Sequence, residues 1–160
     1  GSFFGGWLAD KLGQRDRRWY VWGSAIMILA ITPVLLIMLT TGNLTLALML
    51  TGVFHFLSAS YLGPALAVSH GLVGLRMRAL TSAVFFFFIN LIGLGLGPFF
   101  VGNLSDGFTA AGSEAALPTA MLIVGCIASV WGCIHYVIAS RHIREDIANS
   151  PATAPKVEAL

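Results

Sequence analysis

The sequence predicts an all-α membrane protein with four complete transmembrane helices preceded by the end of a fifth. Three observations carry that expectation. The 160-residue chain is 57% hydrophobic and 10% charged, where soluble domains average roughly 25% charged residues. Its mean hydropathy is +0.85. The charges it carries are bunched, leaving apolar runs of about 20 residues or more, each long enough as a helix to cross a hydrocarbon core of about 30 Å.

The elements follow from where those runs begin and end. Residues 1–8, "GSFFGGWL", read as the last turns of a transmembrane helix. Gly1 is not an initiator methionine, so the chain is expected to continue upstream, and the missing N-terminal helices are expected partners. Residues 9–18 form a charged loop. Four spans are expected at about 19–40, 44–68, 79–104 and 117–140, within a helical region 19–144. Thr41-Gly42-Asn43, the basic "HGLVGLRMR" and the polar "SDGFTAAGSEAA" connect them. The tail 145–160, with Pro151 and Pro155 among small residues, is expected to be disordered.

The cations set the orientation. Lys11, Arg15, Arg17 and Arg18 precede the first full span, Arg76 and Arg78 lie between the second and third, and Arg141, Arg144 and Lys156 follow the fourth. Four crossings place all nine on one side. Short cytoplasmic loops retain Lys and Arg, so loops 9–18 and 69–78 and the C-terminus are expected in the cytoplasm of a multi-pass protein of the plasma (cell inner) membrane, with the lipid bilayer as its first partner. Several long spans, without a charged n-region or a small-residue cleavage site at the start, are not expected to include a signal peptide. Cys126 and Cys133 sit seven positions apart on one helix, about 10 Å along its axis, beyond the roughly 7 Å that a disulfide bridges. They read as small packing residues.

Enzyme readings find no support. There is no H-E-x-x-H, G-x-S-x-G or P-loop, and no Cys/His cluster with metal-ligand spacing. Asp10, Asp16, Asp106, Glu114, Glu145, Asp146 and Glu158 are the acids, and none lies mid-span. No catalytic residue, cofactor or metal is expected. The net charge of +2 is accounted for by topology, and nucleic-acid binding is not expected.

One motif carries more information than composition does. Gly6, Asp10, Lys11, Gly13 and Arg15 fit G-x-x-x-D-[RK]-x-G-x-[RK]. Gly6 would let two helices approach, Gly13 would permit a tight turn, and Asp10 at a helix end would pair with a cation or cap a neighbouring helix. Lys11 and Arg15 would hold the cytoplasmic side and reach carboxylates or lipid phosphates. The pattern resembles the cytoplasmic loop signature of the major facilitator superfamily. Four spans follow it before a cytoplasmic tail, so this copy resembles the one after the family's eighth helix. Asp16 departs from the basic end of that pattern.

A second motif agrees. In "NLIGLGLGPFFVGNLSD", Gly93, Gly97, Pro98 and Gly102 are spaced G-x-x-x-G-P-x-x-x-G inside an otherwise bulky span. Glycines four apart share a helix face, and Pro98 removes a backbone hydrogen bond, so the segment reads as a hinge or gate, or else as a static packing seam. It resembles the antiporter signature of the superfamily's fifth helix, whose pseudo-symmetry mate is the eleventh. The stretch from Arg76 to Asp106 resembles more particularly the spinster-like branch, which is associated with export of lysolipids and sphingoid lipids.

Polar groups inside spans are the other candidates, because they are costly in lipid. Thr51, His55 and Ser58 recur at i, i+4 and i+7 on one helix face and are candidate cavity-lining residues together with Asn90. His55 would sense protons or sit neutral in a hydrogen bond to another helix. Gly63 and Pro64 interrupt the second span, as a gating bend or a static kink.

The resemblance implies a fragment of a secondary active transporter, the end of the eighth helix to the twelfth of a fold of about 12 helices, in which two halves rock around a midplane site. It would move a small organic or lysolipid-like substrate by alternating access, with protons as a candidate coupling ion. Four spans do not enclose such a site, which is why the resemblance implies a fragment; a stand-alone four-helix module for membrane interaction or assembly, without transport, stays open as an alternative.

Overall fold

The apolar runs fold as helices, which satisfy every backbone N–H and C=O within their own segment where no water is at hand. The structure, a computed structural model, describes residues 1–151. Its helices are α1 (Ser2–Gly13), α2 (Trp19–Thr40), α3 (Leu44–Ser60), α4 (Leu62–Gly71), α5 (Arg78–Phe88), α6 (Gly97–Ala110) and α7 (Ala116–Ala148). A 3-10 turn, Leu75–Met77, leads into α5, and a π-helical stretch, Ile89–Leu96, joins α5 to α6. Among the described residues there is no strand.

Four stretches are long and apolar enough to cross a membrane: Trp19–Thr40, Leu44–Gly71, Leu75–Ala110 and Ala116–Ala148. The first has the expected bounds, and the other three run further. Two of the ends carry clear caps. Asn43 accepts the Leu46 N–H at 3.2 Å and starts α3. Gly112, at φ +83°, ends α6, with the Ser113 N–H on Phe108 O and the Gly112 N–H on Thr109 O, both at 3.0 Å, which is the Schellman arrangement that favours glycine.

α2 is the hub and packs against α7, α3, α4 and α1, while α6 lies along α7 and α5 meets α4. The packing is inverted relative to a soluble protein. The largest fully buried side chains are Ser24 and Ser60, whereas Trp131, Ile127, Leu94 and Phe99 are more than 60% exposed. Lipid tails are as apolar as leucine, so nothing drives large side chains inward, and small residues occupy the seams because they let backbones approach.

α7 has 33 residues, about 50 Å of helix against a core of about 30 Å, so its C-terminal turns must stand outside the hydrocarbon. They are held there by burial of Ile143 and Ile147 against Val21, flanked by Val68, Leu72 and Tyr136. The expectation of a disordered tail from residue 145 is corrected accordingly: residues 145–148 are helical, because Ile143 and Ile147 lie four apart on one face and dock together. The remainder of that expectation, residues 152–160, lies outside the described residues. The expected loop 9–18 is likewise shorter, since α1 runs on to Gly13.

Candidate functional site

Three features bring the expected residues together: the junction of α1 with α2, the π-helical third span, and a groove between α2, α3, α6 and α7.

At the junction, Asp10 accepts a hydrogen bond from the Tyr20 hydroxyl at 2.8 Å; its partner is a phenol and not the expected cation or helix end. Lys11 Nζ stands 5.0 Å from the centroid of the Trp7 ring, a cation–π contact. Gly13 is helical, with no positive φ. It is small for a different reason from the expected turn: a Cβ there would come within 2.2 Å of the Tyr20 ring. Arg15 is exposed and forms no ion pair among the described residues.

The close approach expected at Gly6 is made chiefly one residue earlier. A Cβ on Gly5 would lie 1.8 Å from Ser60 O, whereas one on Gly6 would meet nothing within 4 Å. Gly6 contributes through its backbone, which faces Gly63 of α4 at 3.5 Å from the Cβ position. The Gly63-Pro64 segment opens α4, immediately after the helix breaks at Tyr61, and Pro64 is buried. The seam repeats at Gly1, where a Cβ would be 2.4 Å from Phe56 O, so Gly1 and Gly5 form a small-residue pair four apart.

Asp16 finds its partner on another span. Arg144 donates from Nε to Oδ1 at 3.1 Å and from Nη2 to Oδ2, the two-pronged geometry to which a guanidinium is suited. The Arg18 backbone N–H also donates to Oδ1, at 2.9 Å. Arg144 first, and then this backbone donor, hold the Asp16 carboxyl below its ordinary value of 3.8, because both bind the ionised form.

In the third span the glycine segment is π-helical. The wider turn ends at Gly97, directly before Pro98, at the start of α6. Proline has no N–H to give to the preceding turn and its ring crowds the carbonyl four residues back, and a π-helical stretch relieves both, at a kind of site often used functionally. Asn90 donates from Nδ2 to Phe86 O at 2.7 Å, so its amide serves its own helix. A Cβ on Gly93 or Gly102 would meet nothing within 4 Å, and one on Gly97 only its own Ile92 O at 3.8 Å. The glycine face therefore meets no helix among the described residues.

The groove has a cavity of about 420 Å³, walled by residues including Ile31, Leu35, Ser58, Tyr61, Ser129 and Gly132. Of the candidate lining residues it contains Ser58. Thr51 turns to α2, with Oγ1 3.5 Å from Met38 Sδ, and bonds back to Ala47 O at 2.9 Å. His55 is exposed, with its ring edge-on to Phe54 at 5.5 Å. Asn90 lies elsewhere. Beside the groove, Thr32 and Ser129 share a 2.7 Å hydrogen bond between α2 and α7, a pair the sequence reading passed over. Its signal was available: Gly125, Ser129 and Gly132 are small and share one face of α7, and a Cβ at Gly125 would run into Leu35 Cδ2 at 2.4 Å.

No family model matches the chain, and no solved structure matches it. Among curated proteins it is similar to an MFS-type efflux pump of Mycolicibacterium smegmatis, 34% identical over 142 residues, which are 89% of this chain and 33% of that protein. The chain thus spans about one third of the length of the relative that it matches. Among the described residues, an all-helical fold with four stretches long and apolar enough to cross a membrane, together with a match of this extent, supports membership in the major facilitator superfamily, the fold of which these helices fit as a fragment.

Proposed function

We propose that this chain forms the last four spans of the C-terminal half of a secondary active exporter that works by alternating access, with its basic end in the cytoplasm. The relative is named as an efflux pump, and the observation that carries the reading is the π-helical stretch Ile89–Leu96, which ends two residues before Pro98. A helix whose turns widen and then lose a donor bends at low cost, and this one carries no packed neighbour at Gly93 or Gly102 to stiffen it. It is the hinge of the third span. The junction of Gly6, Asp10, Lys11, Gly13 and Arg15 is the conformational latch at the end where α1 meets α2, and Gly63-Pro64 after the break at Tyr61 gives the second span its own bend.

The substrate class is a small amphipathic organic molecule, with lysolipids first because Arg76–Asp106 resembles the spinster-like branch. Ser58 lines the groove, while His55 and Asn90 lie on exposed faces, where further helices of the same protein would complete a cavity.

The test is the full-length protein in liposomes, with export of a fluorescent lysophosphatidylcholine followed with and without an imposed proton gradient. Export by the wild type, together with a loss of about tenfold or more in Pro98→Ala at unchanged folding, is the expected result; a tenfold loss corresponds to about 1.4 kcal/mol on the rate-limiting barrier. Export that is indifferent to Pro98→Ala would remove the hinge. No transport of any amphipathic substrate by the full-length protein would favour the assembly module.

A further inference from the structure

We propose that the basic end of α2 holds an anionic phospholipid, with its phosphate on Arg18 between the indoles of Trp19 and Trp22 and an acyl chain along the outward face of the same helix. A cavity of about 330 Å³ opens there, walled by Asp16, Arg18, Trp19 and Trp22. Its charge balance is positive. The Asp16 carboxylate on its wall is already paired with the Arg144 guanidinium and accepts the Arg18 backbone N–H, so the charge of the Arg18 side chain is left over. Among the described residues the Arg18 side chain forms no ion pair. A phosphate would supply the missing acceptor in the geometry that a guanidinium matches.

The aromatic walls and the stripe below them point to a lipid rather than a free anion. Trp19 and Trp22 are 38% and 47% exposed, and an indole with an apolar body and one N–H donor settles at the headgroup level of a bilayer. From Trp22 the outward face continues through Ile26, Leu29 and Leu36, all about half exposed, with the exposed Pro33 between the last two. Steps of three and four keep these residues on one helix face. Trp22 to Leu29 covers about 10 Å and Trp22 to Leu36 about 21 Å of helix, which brackets the roughly 15 Å depth of one leaflet. A headgroup that brings its own ammonium would set a cation against Arg18, so an acidic headgroup such as phosphatidylglycerol is the occupant that fits.

The experiment uses the full chain in phosphatidylcholine vesicles that contain a minor fraction of phosphatidylglycerol with dibrominated acyl chains, and reads quenching of Trp22 as the difference between wild type and Trp22→Phe. Dibrominated phosphatidylglycerol is expected to quench about fivefold more effectively than dibrominated phosphatidylcholine, the worth of one arginine at a charged surface. The preference should fall to parity in Arg18→Ala and in Arg18→Gln, survive in part in Arg18→Lys, and be untouched in Arg76→Ala, which removes an exposed cation from another span. Inorganic phosphate at millimolar concentration should not displace the lipid. Equal quenching by the two lipids, an equal loss in Arg76→Ala, or displacement by phosphate would overturn the proposal. None of these readouts depends on transport.

Discussion

Asp16 and Arg144, separated by 128 positions in sequence, meet through two hydrogen bonds and tie the entrance of the first full span to the protruding end of the last. At the same end of α7, Ile143 and Ile147 are buried against Val21 of α2, so an apolar contact and an ionic one meet at the same helix end.

The pair makes stability depend on acid pH. Because the folded-state carboxyl of Asp16 lies below its ordinary 3.8, its contribution is fully present above that value and disappears as pH falls below 3.8 through the folded-state value. The difference in Tm between wild type and Asp16→Asn should be constant from roughly pH 5 to 8 and close to zero in strong acid. Concentrated salt should shrink it at neutral pH, since the pair is exposed. A difference that survives acidification would mean that the substitution disturbs the turn and not the pair.

Adjacent glycines in α1 should respond in opposite ways. Gly5→Ala drives a methyl into the Ser60 backbone carbonyl, which cannot step aside, and should cost about 1–3 kcal/mol or more. Gly6→Ala has open space and should be neutral or stabilising by about 0.5–1 kcal/mol, the helix-interior gain over glycine. Thermal unfolding of the two variants in one detergent checks the contrast, and equal losses would move the seam from Gly5 to the whole face.

Removing the bond between Thr32 and Ser129 should cost little. Ser129 still reaches Gly125 O at 2.9 Å and Cys126 O at 3.1 Å on its own helix, so Thr32→Val strands no donor. A double-mutant cycle with Ser129→Ala is expected to return about 0.6 kcal/mol, and no more than about 1.7 kcal/mol, of coupling. A larger value would assign the pair a role in aligning α2 with α7.

Gly125 and Leu35 should show compensation. Gly125→Ala pushes against the tip of Leu35, and Leu35 is buried at 5% exposure. Gly125→Ala alone should cost about 1–3 kcal/mol and Leu35→Ala alone about 2–5 kcal/mol. Together they should cost clearly less than the sum, because each relieves the other. Additive losses in the double variant would show that the two sites do not share space.

Much of the architecture could be read from residue order. The apolar run from Trp19 to Thr40 gave the first span its bounds. The site was legible as residue types but not as partners. Asp10 at a helix end announced a hydrogen bond, yet nothing local said that a tyrosine ten positions on would supply it. Gly6 was the glycine that the pattern marked, while the tightest contact belongs to Gly5. Those outcomes depend on helix rotation, which shifts a contact by one residue without changing any local propensity.

The sequence by itself determined that these residues hold four stretches long and apolar enough to cross a membrane, because hydrocarbon imposes a length, a composition and a helical backbone on each segment independently of its neighbours. Only the tertiary structure decided that Asp16 belongs to Arg144, that Ser58 alone of the polar candidates reaches the groove, that the glycine segment of the third span winds as a π-helix, and that α7 stays ordered to Ala148. Each of these depends on how one helix is turned and tilted against another. That is set by the fit of small residues along a seam, a property of two surfaces that neither segment carries alone.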